Sequence, residues 1–598
     1  MEPHRNHTSH QRSHDASASA DPRTDDGGSR HISRRGLLAA AGATAAFGWI
    51  AAGRIPASSA STIATPPNFP SGIPLYQQTF TNWAQQISIA NVWTCTPSSS
   101  ADVVTLANWA YQNGYNLRAL GCGHNWSPLV LFPGENASNV VLVNTTDNLT
   151  SVSINKSTTP VTVTAQAGTT MNSLMTALQN AGYGFTATPA PGDITIGGVL
   201  AIDGHGTSIP ANGEVPVPGT TYGSLSNTIQ SMTVVAWNGS AYALRTLNRT
   251  DPAIAPFLTH LGRTFVTEVT LEVGANQNLQ CQSWVNISAA TLFAPPSSAG
   301  SSSFASLAEG SGRVESIWFP GTTYPWVKVW SRKPTQPWFS NNTGAPYAYT
   351  FANSITTEES NLISEIVGGD VSVTPTFETL EESIVTTGLV VTGTWDLWGP
   401  SMNTLLYVLP STLRVTSGGW TIITARSSIQ QVISDFYTQY NSLVNSYASA
   451  GNYPMNGPLE IRVTGLDNPS EAGVSGAVTP LLSALAPRPD QPEWNVAVWI
   501  DMLTIPGTPT SNTFYQAMET WAFSHYTGSY ATIRPEWSKG WAYTSAGPWT
   551  NTAMLTSTIP AGVNAGQAQQ NFQVATAAFD ACDPHRVFSN SFLNTLLP

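Results

Sequence analysis

The stretch NLRALGCGHNWSPLV, residues 116–130, brings together the first residues in the chain whose types and spacing suggest chemistry. Gly121 and Gly123 flank Cys122, and His124 follows directly. Such a loop can bind a phosphate, form part of a metal or redox site, or simply be a tight turn that carries a histidine. None of the four cysteines has a partner at C-x-x-C spacing, so we predict no zinc or iron–sulfur site.

A Rossmann-type dinucleotide site is disfavoured by the residues that follow this loop. That fingerprint requires a third glycine at position 126 and a helix that begins there. The sequence instead has Trp126, followed by Ser127 and Pro128. What remains is a short run of backbone N–H groups between two glycines, which is a nest able to hold a pyrophosphate. The spacing alone does not separate such a nest from an ordinary turn with a surface histidine.

A second glycine-rich stretch, ATPAPGDITIGGVLAIDGHGTSIP, occupies residues 187–210. So many glycines indicate a backbone that turns sharply or lies close against another group. His205 lies among them, and the pattern leaves open whether it binds a ligand or has only a structural role.

Three further carboxylates and one arginine lie in predicted strands. Glu460 and Arg462 share one face of PLEIRVT, where they form either a solvated ion pair or part of a site. Glu315 lies in RVESIWFP beside aromatic residues, and a carboxylate in an apolar pocket suits proton transfer near neutral pH. Its alternative role is to pair with Arg313, two residues earlier. Asp501 interrupts the apolar strand VWIDMLT and can line the same cavity.

The elements that must position these residues alternate between helix and strand. A helix is predicted from Ser100 to Gly114, and a second from Thr170 to Gly182. NLRAL, NVVLV and PVTVTA read as strands, so helices packed on a sheet are expected, which is an α+β arrangement. The apolar stripe of the first helix is predicted to consist of Val103, Leu106, Ala107, Ala110 and Tyr111.

The character of the chain changes after about residue 281. Tryptophans become frequent, and strands such as RVESIWF and WVKVW alternate with predicted helices over residues 356–366 and 427–448. We therefore predict a second region that mixes sheet and helix.

The composition limits the possible partners and location. The 598 residues are only 10% charged and carry a formal net charge of −12, which disfavours binding to nucleic acid. Arg34 and Arg35 precede an uncharged apolar run over residues 36–53, as in a twin-arginine export signal that is cleaved near Ala60. The alternative is a membrane anchor that stays attached. We expect a secreted protein whose residues 1–31 are disordered.

Four motifs together resemble one known family. RALGCGHNWSP is similar to the R-x-x-G-x-G-H loop of the vanillyl-alcohol-oxidase-type flavoproteins, many of which bind FAD covalently through this histidine. PGDITIGGVLAIDGHGTS resembles their second FAD-contacting loop, and RPEWSKGW and DPHRVFSN resemble two later segments. The motifs occur in order over residues 75–598. Within this family the pattern is most similar to the covalent-flavin, or type II, cholesterol oxidases.

The resemblance implies an α+β fold with a two-part FAD-binding domain of vanillyl-alcohol-oxidase type and a mixed sheet-plus-helix cap that binds substrate. The disordered segment and signal then occupy 1–60, and the first part of the FAD-binding domain occupies 61–280. The cap spans 281–525, and the segment 526–598 returns to the FAD-binding domain.

The resemblance also assigns the cofactor contacts. His124 is implied to carry FAD covalently as a single link, because Cys281 does not match the later flavin-bonding cysteine of the bicovalent relatives. The other residues implied to contact FAD are Arg118, Gly121, Cys122, Gly123, Asn125, Trp126, Gly192, Asp193, Gly197, Gly198, Gly204, His205, Gly206 and Thr207.

Catalytic roles follow from the same resemblance. Arg462 is expected near the reactive edge of the flavin, where a cation stabilises negative charge. Glu460 is expected to pair with it and to gate oxygen or product. Glu315 is the candidate base that moves a proton between two carbons of the product. Asp501 is expected to line the same cavity, and Lys539 in RPEWSKGW is expected near the flavin N1 side.

The leading hypothesis is a secreted FAD-dependent oxidase of a 3β-hydroxysterol that uses O2, produces H2O2 and a 3-ketosteroid, and isomerises the 5-ene to the 4-ene. Transient contact with a membrane surface would give access to the sterol. The first alternative is a covalent-FAD oxidase of a sugar alcohol or aldonolactone, although a tryptophan-rich cap favours a large apolar substrate. The second is a non-catalytic secreted sterol-binding protein, against which the retention of His124, Glu460 and Arg462 argues.

Overall fold

Three β-sheets organise residues 63–598, the part of the chain that the computed structural model describes. The predicted disordered segment and export signal, residues 1–60, lie outside the described residues. Helices pack on the sheets, so the predicted α+β class is confirmed. No helix within residues 63–598 is both long enough and apolar enough to cross a bilayer.

The first sheet carries the loop with His124. Its strand order is β1-β2-β4-β3, and β3 pairs in parallel with β4, so the loop begins at the end of the edge strand β3. The strands are β1 (Leu75–Thr81), β2 (Ser88–Cys95), β3 (Asn116–Leu120) and β4 (Val140–Asn144).

The first helix, α1 (Ser100–Asn113), packs on this sheet and leads into β3. The side chain of Ser99 accepts a hydrogen bond from the backbone N–H of Asp102, so the cap is Ser99 and not the predicted Ser100. Gly114 ends the helix with a φ of 71°, as its position predicts. The predicted apolar stripe is wrong at Tyr111, which is 41% exposed.

The second sheet lies beside the first, in the order β5-β6-β10-β8-β9 with the short β7 also paired to β10. Its strands are β5 (Val152–Asn155), β6 (Val161–Gln166), β7 (Tyr183–Gly184), β8 (Ile229–Trp237), β9 (Tyr242–Asn248) and β10 (Phe265–Ala275). The helix α2 (Met171–Ala181) covers it, begins at the capping side chain of Thr170 and ends at Gly182, as predicted. The short helix α3 (Ile196–Ala201) forms within the second glycine-rich stretch.

The third sheet has nine strands in the order β14-β15-β11-β13-β12-β17-β18-β16-β19. They are β11 (Asn278–Trp284), β12 (Arg313–Trp318), β13 (Trp326–Arg332), β14 (Asn341–Asn342), β15 (Asp396–Pro400), β16 (Thr416–Thr424), β17 (Leu459–Gly465), β18 (Val496–Thr504) and β19 (Ala531–Pro535). Strands β12, β17 and β18 are neighbours, so the register places Glu315 opposite Arg462 and Glu460 opposite Asp501.

Ten helices of the described chain follow β11. The predicted helices over 356–366 and 427–448 correspond to α6 and α9, and α6 begins with a capping box of Thr356 and Glu359. The helices are α4 (Ala289–Leu292), α5 (Phe304–Ser311), α6 (Thr357–Val367), α7 (Thr374–Thr392), α8 (Ser401–Leu405), α9 (Ile429–Ser449), α10 (Ser511–His525), α11 (Ile559–Asn564), α12 (Asn571–Cys582) and α13 (Ser591–Leu596).

The end of the chain returns to the first two sheets through buried polar contacts. Asp583 accepts a hydrogen bond from Tyr242 at 2.5 Å and pairs with Arg263 at 2.6 Å. The backbone N–H of Leu117 on β3 donates to the carbonyl of Val587 at 2.8 Å. These contacts fix the base of the His124 loop, because β3 leads directly into it. Strand β19 still belongs to the third sheet, so the return begins after Pro535.

Candidate active site

One cavity of about 460 Å³ is lined by both glycine-rich stretches and by the third sheet. It brings together fifteen of the predicted site residues. These are Arg118, Gly121, Cys122, Gly123, His124, Asn125, Trp126, Gly197, Gly198, Gly204, His205, Glu315, Glu460, Arg462 and Lys539.

The other five predicted residues are not among those that line the cavity: Gly192, Asp193, Gly206, Thr207 and Asp501. The Thr207 hydroxyl donates to the carbonyls of Val314 at 2.7 Å and Val463 at 3.0 Å, so it fastens the loop to the third sheet. Gly206 lies against the backbone of Thr188, where a Cβ atom would come within 2.8 Å of the Thr188 nitrogen. These two residues support the cavity wall, and their direct contact with the cofactor stays a prediction.

The His124 ring is held by stacking. Its centroid lies 3.9 Å from that of Trp83 with 24° between the planes, and the Arg414 guanidinium lies 3.4 Å from the centroid of the same indole. Burial, together with the positive charges of Lys539 and Arg414, lowers the pKa of His124 to about 3. The imidazole is therefore neutral near pH 7, and its buried Nδ1 has no hydrogen-bond partner in the described chain.

The glycine loops fit the phosphate and ring system of a dinucleotide cofactor. Gly123 has a φ of 73°, which favours glycine, and it leaves the backbone open toward the cavity. Buried polar atoms on the same wall, Asn125 Oδ1 and Trp126 Nε1, also have no partner in the described chain. Because unpaired buried polar atoms are costly, this wall requires a ligand that supplies hydrogen bonds.

Opposite this wall lies a set of charged side chains that we call the ion cluster. It consists of Arg462, Lys539, Glu315, Glu460, Asp501 and Glu536. Arg462 lies 3.2 Å from both Glu315 and Glu460 and also contacts Asp501. Lys539 lies 3.6 Å from Asp501 and 3.5 Å from the centroid of the Trp126 ring, which connects the cluster to the His124 loop.

The charges of the ion cluster do not cancel. Two cations face four carboxylates in a region that excludes most water, so retention of a proton by one of the carboxylates is favoured. Burial raises the pKa of Glu460, and burial with the nearby charge of Glu536 raises that of Asp501. Burial disfavours the charge of Arg462, but Asp501, Glu460 and Glu315 outweigh this effect and hold the pKa of Arg462 well above its usual value.

The partner of Glu315 is not the predicted Arg313. Arg313 pairs with Glu214 at 3.2 Å and does not contact Glu315. Glu315 instead accepts a hydrogen bond from the Tyr407 hydroxyl and pairs with Arg462. The predicted apolar surroundings of Glu315 thus include a charged partner as well, because the sheet register places an arginine directly opposite.

His205 lies at the junction of the glycine loop and the third sheet. Its ring stacks on Trp499 at 3.6 Å, and its Nε2 atom lies 3.8 Å from a Glu536 oxygen. His205 lines the cavity and also braces the loop, so both roles left open by the sequence are compatible with its position.

The cysteines form no disulfide among the described residues, and all four are free thiols. Cys122 is exposed at the surface, but its thiol is partly buried. This partial burial, together with the nearby charge of Asp193, raises the pKa of the thiol to about 11. The loop thus carries a protonated thiol at neutral pH and not a nucleophilic thiolate.

Five residues of the site were missed in the sequence: Trp83, Lys328, Tyr407, Arg414 and Glu536. Glu536 lies within the RPEWSKGW motif and was recognisable there as its only carboxylate. The other four lie in stretches without a distinguishing pattern, and only the tertiary structure brings them to the cavity or behind its wall.

Comparison with known proteins identifies both halves of this arrangement. Residues 93–245 match the family model of an FAD binding domain, and residues 278–598 match that of the substrate-binding domain of cholesterol oxidase. The solved structure of a solvent-stable cholesterol oxidase is 51% identical to this chain, with a TM-score of 0.88; the match covers 90% of this chain and all of that one. The chain belongs to the cholesterol oxidase family.

Two structures of cholesterol oxidase from Brevibacterium sterolicum, one of them a histidine-to-alanine variant, are also similar. Each is 40% identical, with a TM-score of 0.88, and each match covers 90% of this chain and all of the other. A comparison with curated protein sequences finds no match. Membership of the cholesterol oxidase family confirms the resemblance inferred from the four motifs and identifies FAD as the cofactor.

Proposed function

We propose that this member of the cholesterol oxidase family oxidises the 3β-hydroxyl group of a sterol to a ketone, using O2 and releasing H2O2. The observation that carries the proposal is the shared cavity, which joins the His124 loop, the ion cluster and the apolar side chains of the cap. FAD, when bound, accepts a hydride from the carbinol carbon and passes the electrons to O2.

The cap side of the cavity favours a large apolar substrate. Phe319, Val385, Val408 and Leu413 line it, and Glu381 is the one charged side chain that the cap helix α7 adds to this lining. Burial, together with the nearby Glu359, raises the pKa of Glu381 to about 9, so it is uncharged near pH 7. A sugar alcohol requires hydrogen-bonding groups along its whole length, but a mostly apolar cap wall suits a sterol with a single hydroxyl. This distribution supports the sterol over the sugar-alcohol alternative.

The ion cluster handles protons and charge in this proposal. Loss of a hydride from an alcohol requires removal of the hydroxyl proton, and the carboxylates of the cluster are acceptors within the same cavity. Arg462 remains positive and stabilises negative charge that develops beside it. The Glu460–Arg462 pair is partly exposed on the cavity wall, which allows it to move and to gate O2 or product.

Isomerisation of a 5-ene-3-ketone to the conjugated 4-ene requires a base that carries a proton between two carbons. Glu315 is the candidate, because it lines the cavity and is only 3% exposed. Tyr407 and Arg462 fix both of its oxygens, so it is oriented for this transfer.

We also propose that His124 forms a single covalent bond to FAD. The neutral imidazole presents a nitrogen without a partner, and Trp83 restricts its ring to one orientation. An uncharged, oriented nitrogen is the form that can attack an electron-poor carbon of the cofactor.

Export and membrane contact complete the proposal. The twin-arginine pattern at Arg34 and Arg35 supports export of the folded protein with its cofactor, and replacement of both by lysine should keep the protein out of the culture medium.

An apolar patch on the cap supports contact with a sterol-containing bilayer. It consists of Trp338, Phe339, Val390, Val391 and Trp395, which are 91%, 83%, 66%, 62% and 56% exposed.

The decisive experiment is an anaerobic titration of the purified holoenzyme with cholesterol and, separately, with a polyol. Cholesterol should bleach the yellow colour, and admission of air should restore it with formation of H2O2. Bleaching by the polyol alone would show that the sterol assignment is wrong, and absence of bleaching by both would favour a non-catalytic sterol-binding protein.

A further inference from the structure

Lys328 on β13 is buried in an unusual environment. Its side chain is 0% exposed, and its Nζ atom has no hydrogen-bond partner among the described residues. Four aromatic rings surround the ammonium group, with distances from Nζ to the ring centroids of 3.5 to 5.2 Å. The rings are those of Tyr407, Tyr349, Trp326 and Trp330, and we call them the aromatic cage.

The alternation of β13 explains the cage in part. Trp326, Lys328 and Trp330 are spaced two residues apart and therefore share one face of the strand. Tyr407 and Tyr349 complete the enclosure from loops. A buried ammonium without a carboxylate partner is costly, and cation–π contacts offset only part of that cost. Such a residue is disfavoured unless its charge acts on a neighbouring group.

That neighbour is Glu315. The register places Lys328 opposite Glu315 on β12, and Glu315 opposite Arg462 on β17, so the three lie in a row on one face of three adjacent strands. Directly opposed residues have Cβ atoms about 5 Å apart, which brings both charges within effective electrostatic range of the carboxylate.

Tyr407 links the two residues physically. Its hydroxyl donates a hydrogen bond to Glu315 Oε2, while Lys328 Nζ lies 3.5 Å from the centroid of its ring. Tyr407 also lines the cavity. We propose that Tyr407 and Lys328 are positioning residues that act through Glu315, Tyr407 by orienting the carboxylate and Lys328 by placing a positive charge next to it.

The other charged and titratable groups agree with this role. Arg462 and Glu460 on β17 face Glu315. The groups that face Lys328 are Glu315 on β12, Cys281 on β11 and the two tyrosines of the aromatic cage. Burial lowers the pKa of Lys328 to about 8, with Cys281 and Glu315 opposing this shift. Lys328 is therefore mostly charged at pH 7 and loses its charge as the pH rises through about 8.

The proposal rests on the function proposed above, in which Glu315 transfers the isomerisation proton. The test supplies a 5-ene-3-ketone anaerobically to the holoenzyme and follows the ultraviolet absorbance of the conjugated enone as a function of pH. This assay isolates isomerisation from oxidation. The variants are Lys328→Met, Tyr407→Phe and Glu315→Gln, with Lys156→Met as the control, because Lys156 lies 5.6 Å from the Tyr183 ring at the surface.

In Lys328→Met, loss of the positive charge beside Glu315 should lower kcat about tenfold at pH 7, with KM changed by less than about threefold. The decrease in kcat that accompanies loss of the Lys328 charge above about pH 8 in the wild type should be absent from this variant. Tyr407→Phe keeps the ring of the cage and should lower kcat about tenfold with KM changed by less than about threefold. Lys156→Met should behave as wild type.

The outcomes separate the two proposals. If Glu315→Gln isomerises as fast as wild type, the role of Glu315 in the proposed function is wrong. If Glu315→Gln is inactive while Lys328→Met and Tyr407→Phe keep the wild-type pH profile and kcat, only the present inference is overturned. Should Lys328→Met fail to fold, Tyr407→Phe tests the inference by itself. A kcat about tenfold lower with KM nearly unchanged supports it, and a wild-type kcat overturns it.

Discussion

Arg462 contacts Asp501 directly, although the two residues are not opposite each other in the sheet. The register pairs Arg462 with Trp499 and Asp501 with Glu460, so the Arg462 side chain reaches diagonally across β17 and β18. Asp501 is 0% exposed and lies 3.6 Å from Lys539 as well. One carboxylate behind the cavity wall therefore restrains both cations of the ion cluster.

Asp501→Asn should weaken this restraint without removing a cavity-lining side chain. Breaking a buried ion pair is destabilising, and because Arg462 keeps two other carboxylates we expect a loss of about 2 kcal/mol and a decrease in kcat of about tenfold or more. Thermal unfolding and steady-state kinetics measure the two effects. Asp490→Asn is the matched control, since it removes the surface partner of Arg488 at 2.6 Å and should leave both quantities unchanged.

His124→Ala should abolish covalent flavin attachment. Wild-type protein denatured in acid should keep its yellow colour with the chain, whereas the variant should release free FAD that passes through a size filter. His525→Ala is the control, because His525 lies at the end of α10 in the cap, stacks on Trp521, pairs with Asp435 and does not line the cavity, so it should not affect attachment. Flavin that stays bound to denatured His124→Ala would mean that a different residue forms the link.

Flavin attachment should be insensitive to pH over the range in which His124 is neutral. Burial is the largest cause that lowers the pKa of His124 to about 3, and the charges of Lys539 and Arg414 add to it, so its nitrogen is free of a proton from about pH 5 to 8. Arg414→Met removes only the smallest of these three causes, so the variant should show the same independence of pH. The measurement is the covalently bound fraction after reconstitution of flavin-free protein with FAD at several pH values. A bound fraction that falls in the wild type as the pH decreases from about 8 to 6 would contradict this account.

The local parts of the fold were predictable from the sequence. The C-terminal ends of α1 and α2 were predictable from Gly114 and Gly182, because glycine readily takes the left-handed conformation that ends a helix. The error at Tyr111 has a tertiary cause, because its ring lies at the edge of the apolar stripe and stacks on His585 at 4.1 Å. Periodicity gives the direction of a helix face but not how far the covering elements extend over it.

The ion cluster was predictable only as a set of candidate residues. Glu315 and Arg462 are 147 residues apart, and Arg462 and Asp501 are 39 apart, so strand order and register decide that they meet. The same dependence explains the wrong partner considered for Glu315, since Arg313 is closer in sequence but contacts Glu214. The roles of Lys328 and Tyr407 could not be recognised from the sequence, because a lysine between tryptophans is equally typical of a strand with one solvated face.

Replacement of both Trp338 and Phe339 by serine should impair access to membrane sterol while leaving the chemistry intact. Asn341 on β14, two residues after Phe339, donates a hydrogen bond to the carbonyl of Gly393, which places this segment next to the end of α7. The chain carries a net charge of −12, which disfavours anionic lipids and leaves burial of apolar and aromatic side chains as the driving force.

The double variant should therefore lose about tenfold or more in rate on cholesterol in zwitterionic vesicles, since each aromatic side chain contributes about 1 kcal/mol or more when buried. Its rate on detergent-solubilised cholesterol should match wild type. Tyr76→Ser is the control, because Tyr76 is 40% exposed but lies on β1, outside the patch. An equal loss on both forms of cholesterol would show that the loop supports the cavity and does not dock on the bilayer, because only docking depends on how the sterol is presented.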